Sequence, residues 1–139
     1  METEKHNEAT INRPTGDRPI DTPQLVIDIP KAVKKLMKEK AWKKNDRNSR
    51  TLFKSGNVTT VLVALHRKAE MQTQHPDDML ILKVLSGRIN FKSAVRSEEV
   101  ESDQVIFFHE GIPYSITAKR RSVLLLTVIS KEEIRSLVR

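Results

Sequence analysis

The segment MLILKVLSGRINF (79–91) contains the clearest structural signal in the sequence. Lys83 should point to solvent, so the period of two of a β-strand places Leu80, Leu82 and Val84 together on the opposite, buried face. A serine–glycine pair then marks a turn, and a second short run follows it. The segment therefore predicts two strands joined by a tight turn, with the apolar residues facing the interior and Lys83 facing solvent.

Short runs of the same kind lie on both sides of this segment. They are rich in Val, Ile, Thr and Phe and are separated by turn signals such as SGN, HPDD and EG. Close-set strands without intervening helices indicate a sandwich or barrel. The chain is therefore predicted to be an all-β protein, an antiparallel β-barrel or jelly roll over about 50–129. The runs are RTLFKS, NVTTVLVALHR, MLILKVLSG, RINFKSA, QVIFF, YSITA and RSVLLLTVI.

A short helix is predicted before the barrel, over about 30–42. Pro30 suits the first helical turn, where its missing N–H is not needed. We expect a strand-like run in LVIDI (25–29) before this helix and a loop in KKNDRNS (43–49) after it. One apolar stripe with spacings of three and four should pack on the barrel, with Trp42 near the helix end. The stripe consists of Ile29, Val33, Leu36, Met37 and Ala41.

The two ends of the chain differ in character. Residues 1–22 are polar and have too little hydrophobic surface to offset the entropy of ordering, so we expect a disordered tail. At the other end, SKEE (130–133) has the spacing of a capping box and predicts a short C-terminal helix over about 131–138. Its Ile134, Leu137 and Val138 should face the body. Residues 23–139 are then a single domain.

The composition restricts the class of protein. The chain has 139 residues, a usual size for one domain, and no cysteine, so neither disulfides nor a thiolate metal site can stabilise it. The N-terminus lacks the apolar segment of a signal peptide, and no apolar run approaches the roughly 18 residues that a membrane span needs. We therefore expect a cytoplasmic protein that does not enter a membrane.

The positive charge is concentrated in one segment. The net charge is +7, and the nine basic and two acidic residues between Lys31 and Arg50 account for all of it. Such a run is commonly a solvated helix face, and the alternative is a surface for nucleic acid or another polyanion. Trp42 is the only aromatic residue in the segment, so stacking of successive bases is not indicated. The residues predicted to bind an anion are Lys31, Lys34, Lys35 and Lys38.

Two segments, HPDDMLILKVLSGRINF (75–91) and SDQVIFFHEGIPYSITA (102–118), resemble the two sequence motifs of the cupin family, whose members include RmlC-like proteins. The resemblance covers roughly Arg50 to Ile129 and implies a cupin-type antiparallel barrel. The flanking segments are similar to small bacterial cupin-domain proteins without an assigned function. Small cupins often pair through their sheets, so the resemblance also implies a homodimer.

The resemblance preserves the turn positions better than the metal ligands. Thr73 and His75 stand where the family has the two histidines of its first motif, and Leu80 stands at its glutamate. Tyr114 stands at the histidine of the second motif. Metal sites in such enzymes need about three protein ligands, so the alignment implies a barrel without a metal or other cofactor.

The mouth of the barrel is the candidate ligand site. His75 is either a lone catalytic base or a histidine hydrogen-bonded at the mouth. Asp77 or Asp78 could add one carboxylate to a metal-ligand set, but the set would still be incomplete. Tyr114 is either a ligand hydrogen-bonding group or a packed ring with its hydroxyl at the mouth. No catalytic residue is assigned. The residues predicted to contact a ligand are Thr73, His75, Leu80, Leu82 and Tyr114.

Three functions remain open from the sequence. The first is a metal-free barrel that binds a small, mostly apolar organic molecule at its mouth. The second is a regulatory or nucleic-acid-binding protein that uses the basic segment. The third is a metal-dependent cupin enzyme with an atypical site. In all three, the residues Phe91, Phe107, Phe108 and Leu124 to Leu126 are predicted to lie in the core.

Overall fold

The computed structural model describes residues 5–7, 18–73 and 77–130, and within these ranges the chain forms eleven strands and two helices. In chain order they are β1 (Lys5–Asn7), β2 (Arg18–Asp21), α1 (Ile29–Lys38), α2 (Lys40–Lys44), β3 (Arg47–Ser55), β4 (Val58–Leu65), β5 (Glu70–Gln72), β6 (Met79–Ser86), β7 (Arg88–Ser93), β8 (Ser97–Glu101), β9 (Val105–Phe108), β10 (Tyr114–Ala118) and β11 (Ser122–Ile129).

Nine of these strands form two antiparallel sheets that pack face to face. The five-stranded sheet has the order β3-β4-β11-β6-β9, and the four-stranded sheet has the order β5-β10-β7-β8. Consecutive strands β6 and β7 belong to different sheets, as do β8 and β9, so the chain passes repeatedly from one layer to the other. This arrangement confirms the predicted all-β fold, an antiparallel barrel of the jelly-roll type.

The space between the sheets is filled by apolar side chains at alternate strand positions. Leu80, Leu82 and Val84 of β6 are at most 1% exposed, in agreement with the predicted period of two. Lys83 lies on the outer face of the same strand, where it is half-buried because Val105 and Leu125 flank it on the neighbouring strands. The other buried members of this core are Val63, Leu65, Ala69, Ile89, Phe91, Val100, Ile116, Ala118, Leu124 and Leu126.

The helices cover part of the outer face of the five-stranded sheet. The Asp28 side chain accepts a hydrogen bond from the backbone N–H of Lys31 at 3.1 Å and caps α1, and Pro30 lies in its first turn, as predicted. Burial of the apolar stripe against the sheet is also as predicted. The second core that results contains the buried residues Ala32, Leu36, Trp42, Leu52, Leu62, Ala64 and Val123.

The helical segment is divided at Glu39, whereas the sequence predicted one helix over 30–42. Glu39 has an extended backbone with ψ 150°, and polar groups of β3 stabilise the break. The Asn48 side chain donates to the Leu36 carbonyl oxygen at 2.9 Å and to the Glu39 carboxylate at 2.8 Å. Arg50 donates to the other Glu39 oxygen at 3.1 Å. These long-range bonds satisfy the end of α1 and orient α2 against the barrel.

The boundaries at the N-terminal side differ from the sequence predictions. LVIDI (25–29) forms no strand, and the predicted loop over 43–49 is shorter, because α2 extends to Lys44 and β3 begins at Arg47. Within the predicted tail of 1–22, β1 and β2 form an antiparallel pair and Ile20 is only 6% exposed. Strand pairing of these residues, together with burial of Ile20, replaces the expected disorder. The predicted C-terminal helix over 131–138 lies outside the described residues.

The turn between β6 and β7 depends on Gly87. Its φ is +93°, in the left-handed region that disfavours residues with a Cβ. A Cβ at this position would lie 2.5 Å from the Arg121 carbonyl oxygen and 2.7 Å from the Ser122 Cα. The Ser122 hydroxyl accepts from the backbone N–H of Arg88 at 3.1 Å and donates to the Arg120 carbonyl at 2.7 Å. Only glycine allows the two turns to approach this closely.

Candidate ligand site at the aromatic end of the barrel

Three aromatic rings meet at one end of the space between the sheets, and we call Phe91, Phe108 and Tyr114 the aromatic cluster. Strands β7, β9 and β10 each supply one ring. Phe91 stacks on Tyr114 with 5.0 Å between ring centroids, and Phe108 meets Phe91 edge to face at 5.0 Å and Tyr114 at 5.7 Å. Such geometries are favourable beyond simple burial and give this end of the core a rigid wall.

Tyr114 is half-buried within this cluster. Burial raises the pKa of its hydroxyl, and the negative charge of Asp78 raises it further. The hydroxyl therefore stays protonated at neutral pH, where it is a hydrogen-bond donor and a poor metal ligand.

Thr73 has a structural role in the same place. Its hydroxyl donates to the Tyr114 carbonyl oxygen at 2.6 Å and accepts from the Tyr114 backbone N–H, and its own N–H donates to that carbonyl at 3.0 Å. These bonds extend the pairing of β5 with β10 and hold Tyr114 in position. Thr73 therefore positions the ring rather than offering its hydroxyl to a ligand.

The other residues predicted to contact a ligand do not all lie at the mouth of the barrel. Leu80 and Leu82 are 1% and 0% exposed, so both side chains are buried in the core and offer almost no surface to a ligand. Asp77 is exposed and Asp78 is half-buried. His75 lies outside the described residues. The structure thus places Tyr114 and Thr73 together, and places Leu80 and Leu82 in the packed interior.

The described donors do not fit a transition metal. Across residues 18–73 and 77–130, no three side chains of His, Cys, Asp or Glu come close enough to share an ion. Leu80 has no donor atom, the Thr73 hydroxyl is engaged by the main chain, and Tyr114 is held neutral. A zinc, iron or manganese site needs about three nitrogen, oxygen or sulfur ligands, which these positions do not provide.

A cleft of about 240 Å³ opens beside the aromatic cluster. Its apolar wall includes Phe91, Ile106, Phe108 and Ile112, and Ser93, Arg96, Glu98 and His109 provide polar groups around it. Sequence reasoning missed this cleft, although the alternation in QVIFF could have indicated that Ile106 and Phe108 share one face.

The same alternation corrects one core prediction. Phe107 was predicted to be buried, but it is 72% exposed because it faces outward between Ile106 and Phe108. Leu124 and Leu126 are buried between the sheets as predicted, whereas Leu125 is partly buried against the second core on the outer face.

The four anion-binding candidates of α1 share one helix face. Lys31, Lys34, Lys35 and Lys38, which we call the basic face, are all exposed, opposite the apolar stripe. Trp42 is 6% exposed and stacks on His66 with 3.5 Å between ring centroids, so it is not available to a base. Arg47 and Arg50 pair with Asp46 and Glu39. The accessible positive charge of the basic segment therefore comes from its lysines.

No family model and no curated protein matches the chain, whereas its fold is similar to several solved structures. The cupin domain of Cnp3 from Schizosaccharomyces pombe aligns with a TM-score of 0.60 and 16% identity, over 98% of this chain and 93% of that one. A cupin superfamily protein from Desulfitobacterium hafniense has a TM-score of 0.57 and 17% identity, over 62% and 79%. The Cupin_2 domain of an XRE family transcriptional regulator from Enterobacter cloacae has a TM-score of 0.55 and 16% identity, over 62% and 97%.

The chain has a cupin fold. The backbone of the two motif segments agrees with this assignment, because Gly87 and Gly111 have φ of +93° and +94° and Asp103 has φ of +68°, as tight turns require. The turns of the two motif segments therefore agree with a cupin fold, and the resemblance places Thr73, Leu80 and Tyr114 at the ligand positions of its motifs.

None of the helices in the described ranges is long and apolar enough to span a bilayer.

Proposed function

We propose that this chain is a metal-independent cupin that binds a small, mostly apolar organic molecule in the cleft beside the aromatic cluster. The observation that carries the proposal is the cleft itself, which has rigid aromatic rings on one wall and a few polar groups at its rim. Small-molecule sites are typically concave and mostly apolar, with a small number of placed polar groups. The loss of donor atoms at the cupin ligand positions argues against a metal-dependent enzyme.

The lining indicates the chemistry of the ligand. Phe91 and Phe108 offer ring faces and edges, which suit a planar or aliphatic body. Ser93 and His109 lie at the rim, where they can hydrogen-bond one polar group of the ligand. The volume of about 240 Å³ lies below the roughly 300–1,000 Å³ of typical drug-sized sites, so the expected ligand is a small compound.

Indole and cyclohexanol are suitable probes, because one is planar and aromatic and the other aliphatic, and each carries one polar group. We expect them to shift the amide NMR resonances of Phe91, Phe108 and Ile112 in a saturable manner. Ile112→Asp, which places a charge in the apolar lining, should weaken binding at least tenfold. Val26→Asp, at an 85% exposed position far from the lining, is the matched control and should leave binding unchanged.

A metal titration distinguishes this proposal from a cupin enzyme. Purified protein should contain no stoichiometric zinc, iron or manganese, and adding these ions should not change probe binding. Binding of about one metal ion per chain, or probe binding that requires the metal, would contradict the proposal. Saturable shifts that are insensitive to Ile112→Asp would place the ligand elsewhere.

The basic face supports a second candidate, binding of nucleic acid or another polyanion. Its lysines are exposed on one side of α1, and no ion pair involving them occurs in the described part of the chain. Lysines spaced along a surface neutralise phosphates without reading bases. One similar cupin domain belongs to an XRE family transcriptional regulator, which agrees with a regulatory role.

A further inference from the structure

The five-stranded sheet ends in β9, an edge strand with two exposed apolar residues. Val105 is 41% exposed and Phe107 is 72% exposed. Strand β9 pairs with β6 on one side and has no further neighbour among the described strands. An exposed apolar edge presents unpaired N–H and C=O groups, which makes it a template for another strand.

The hydrogen-bond pattern shows which main-chain groups of β9 are directed to this edge. The Val84 N–H donates to the Gln104 carbonyl oxygen at 3.0 Å, and the Val84 carbonyl oxygen accepts from the Asp103 N–H at 2.8 Å. Two consecutive residues thus oppose one residue of β6, which is a bulge, and Asp103 has positive φ there. Hydrogen-bonded pairs alternate along an antiparallel ladder, so Ile106, opposite Leu82, directs its N–H and C=O toward β6. The N–H and C=O groups of the residues on either side of Ile106 are then directed outward.

An acidic cleft runs along the same edge. It has a volume of about 490 Å³, with Val105 and Phe107 on the β9 side and Arg96, Glu98 and Glu99 on the β8 side. Glu98 pairs with Arg96 at 3.1 Å, whereas Glu99 forms no ion pair in the described ranges. Segment 97–110 contains five acidic residues and neither lysine nor arginine, in a chain of net charge +7.

We propose that β9 binds an extended basic peptide segment of a partner protein by strand addition. The partner backbone pairs with the outward N–H and C=O groups of Val105 and Phe107, an apolar side chain packs on Phe107, and a lysine or arginine meets Glu99. Main-chain bonds supply affinity in this mode, and alternate side chains supply specificity. A second copy added edge to edge is disfavoured, because it would bring two identical acidic segments together.

The test uses two labelled peptides, Lys-Val-Lys-Val-Lys-Val-Lys and its glutamate counterpart, in fluorescence anisotropy at low salt with the full chain. We expect the lysine peptide to bind at least tenfold more tightly than the glutamate peptide. N-methylation of alternate amides in the lysine peptide should remove binding, because those amides pair with the edge. Equal binding of the methylated peptide would show attraction by charge alone and would overturn the proposal.

Variants of the edge provide the second part of the test. Phe107→Pro removes an outward N–H without touching the bonds to β6, and should weaken binding at least tenfold with an unchanged thermal midpoint. Phe107→Leu keeps the N–H and an apolar side chain, and should bind within about threefold of the original chain. Glu99→Lys should weaken the lysine peptide and improve the glutamate peptide.

Two other outcomes assign the edge to a different occupant and overturn the proposal. One is a concentration-dependent dimer that Phe107→Pro dissociates, with no binding of either peptide. That result would show that a second copy of the chain occupies the β9 edge. The other is peptide binding that appears only in the full-length Leu137→Asp variant, which would identify the chain's own segment 131–139.

Discussion

Glu39→Gln is expected to destabilise the protein far more than its small chemical change suggests. The Glu39 and Arg50 side chains are 13% and 11% exposed, and their nitrogen–oxygen distance is 3.1 Å. Glutamine preserves the shape and can still accept the hydrogen bond from Asn48, but it leaves the Arg50 guanidinium buried without an opposite charge. Arg50 already has a buried Nε without a hydrogen-bond partner among the described residues.

Removing one partner of a buried ion pair costs about 3–5 kcal/mol, because the other charge remains desolvated. We expect a loss of this size in the free energy of unfolding, measured by urea denaturation. Glu101→Gln is the matched control, since Glu101 also pairs with an arginine at 3.0 Å but the two side chains are 54% and 38% exposed. Its expected cost is about 0–1 kcal/mol.

A double variant isolates the cause. Glu39→Gln combined with Arg50→Met removes the orphaned charge and should recover part of the loss, since an apolar replacement of a buried pair is often close to neutral. A cost for Glu39→Gln no larger than that of Glu101→Gln would refute the reasoning. So would a double variant that is less stable than either single variant.

Three further predictions concern the turn, the aromatic cluster and the basic face. Gly87→Ala should lower the free energy of unfolding by more than about 2 kcal/mol, because of backbone strain and the close approach of Ser122. Gly56→Ala, which is also at positive φ but has nothing within 4 Å of an added Cβ, should lower it by only about 1 kcal/mol. Equal losses would show that the contact with Ser122 is unimportant. Tyr114 is the single tyrosine, so tyrosinate absorbance reports its pKa alone. Because that pKa is raised on folding, the contribution of Tyr114 to stability should be constant below about pH 10 and should be lost as pH rises above it, and Tyr114→Phe should remove this loss. A tyrosinate titration with its midpoint at or below about pH 10 would contradict this prediction. Replacing the four lysines of the basic face with glutamate should abolish binding to duplex DNA. In the original chain, the logarithm of the binding constant should fall with the logarithm of salt concentration by about 0.9 per neutralised phosphate. Unchanged affinity of the variant would remove this candidate function.

The sequence by itself determined the positions of seven barrel strands and which face of β6 is buried, whereas β5 and β8 lie outside the predicted runs. Alternation at Leu80, Leu82 and Val84 is a local property, because successive side chains of a strand point to opposite faces. The stripe of α1 is equally local, because residues three and four apart share a helix face. Gly87 also predicts a turn from the local sequence, because glycine readily adopts the positive φ that a tight turn requires.

Only the tertiary structure decided which strand lies at the edge and where the helix breaks. The alternation in QVIFF is local and turns Phe107 outward, but only sheet order leaves β9 without an outer neighbour, because strand order depends on pairing between residues far apart in sequence. The break at Glu39 depends on Asn48 and Arg50, which reach it through folding of β3. The aromatic cluster likewise joins three strands from two sheets, so its cleft exists only after those sheets have packed together.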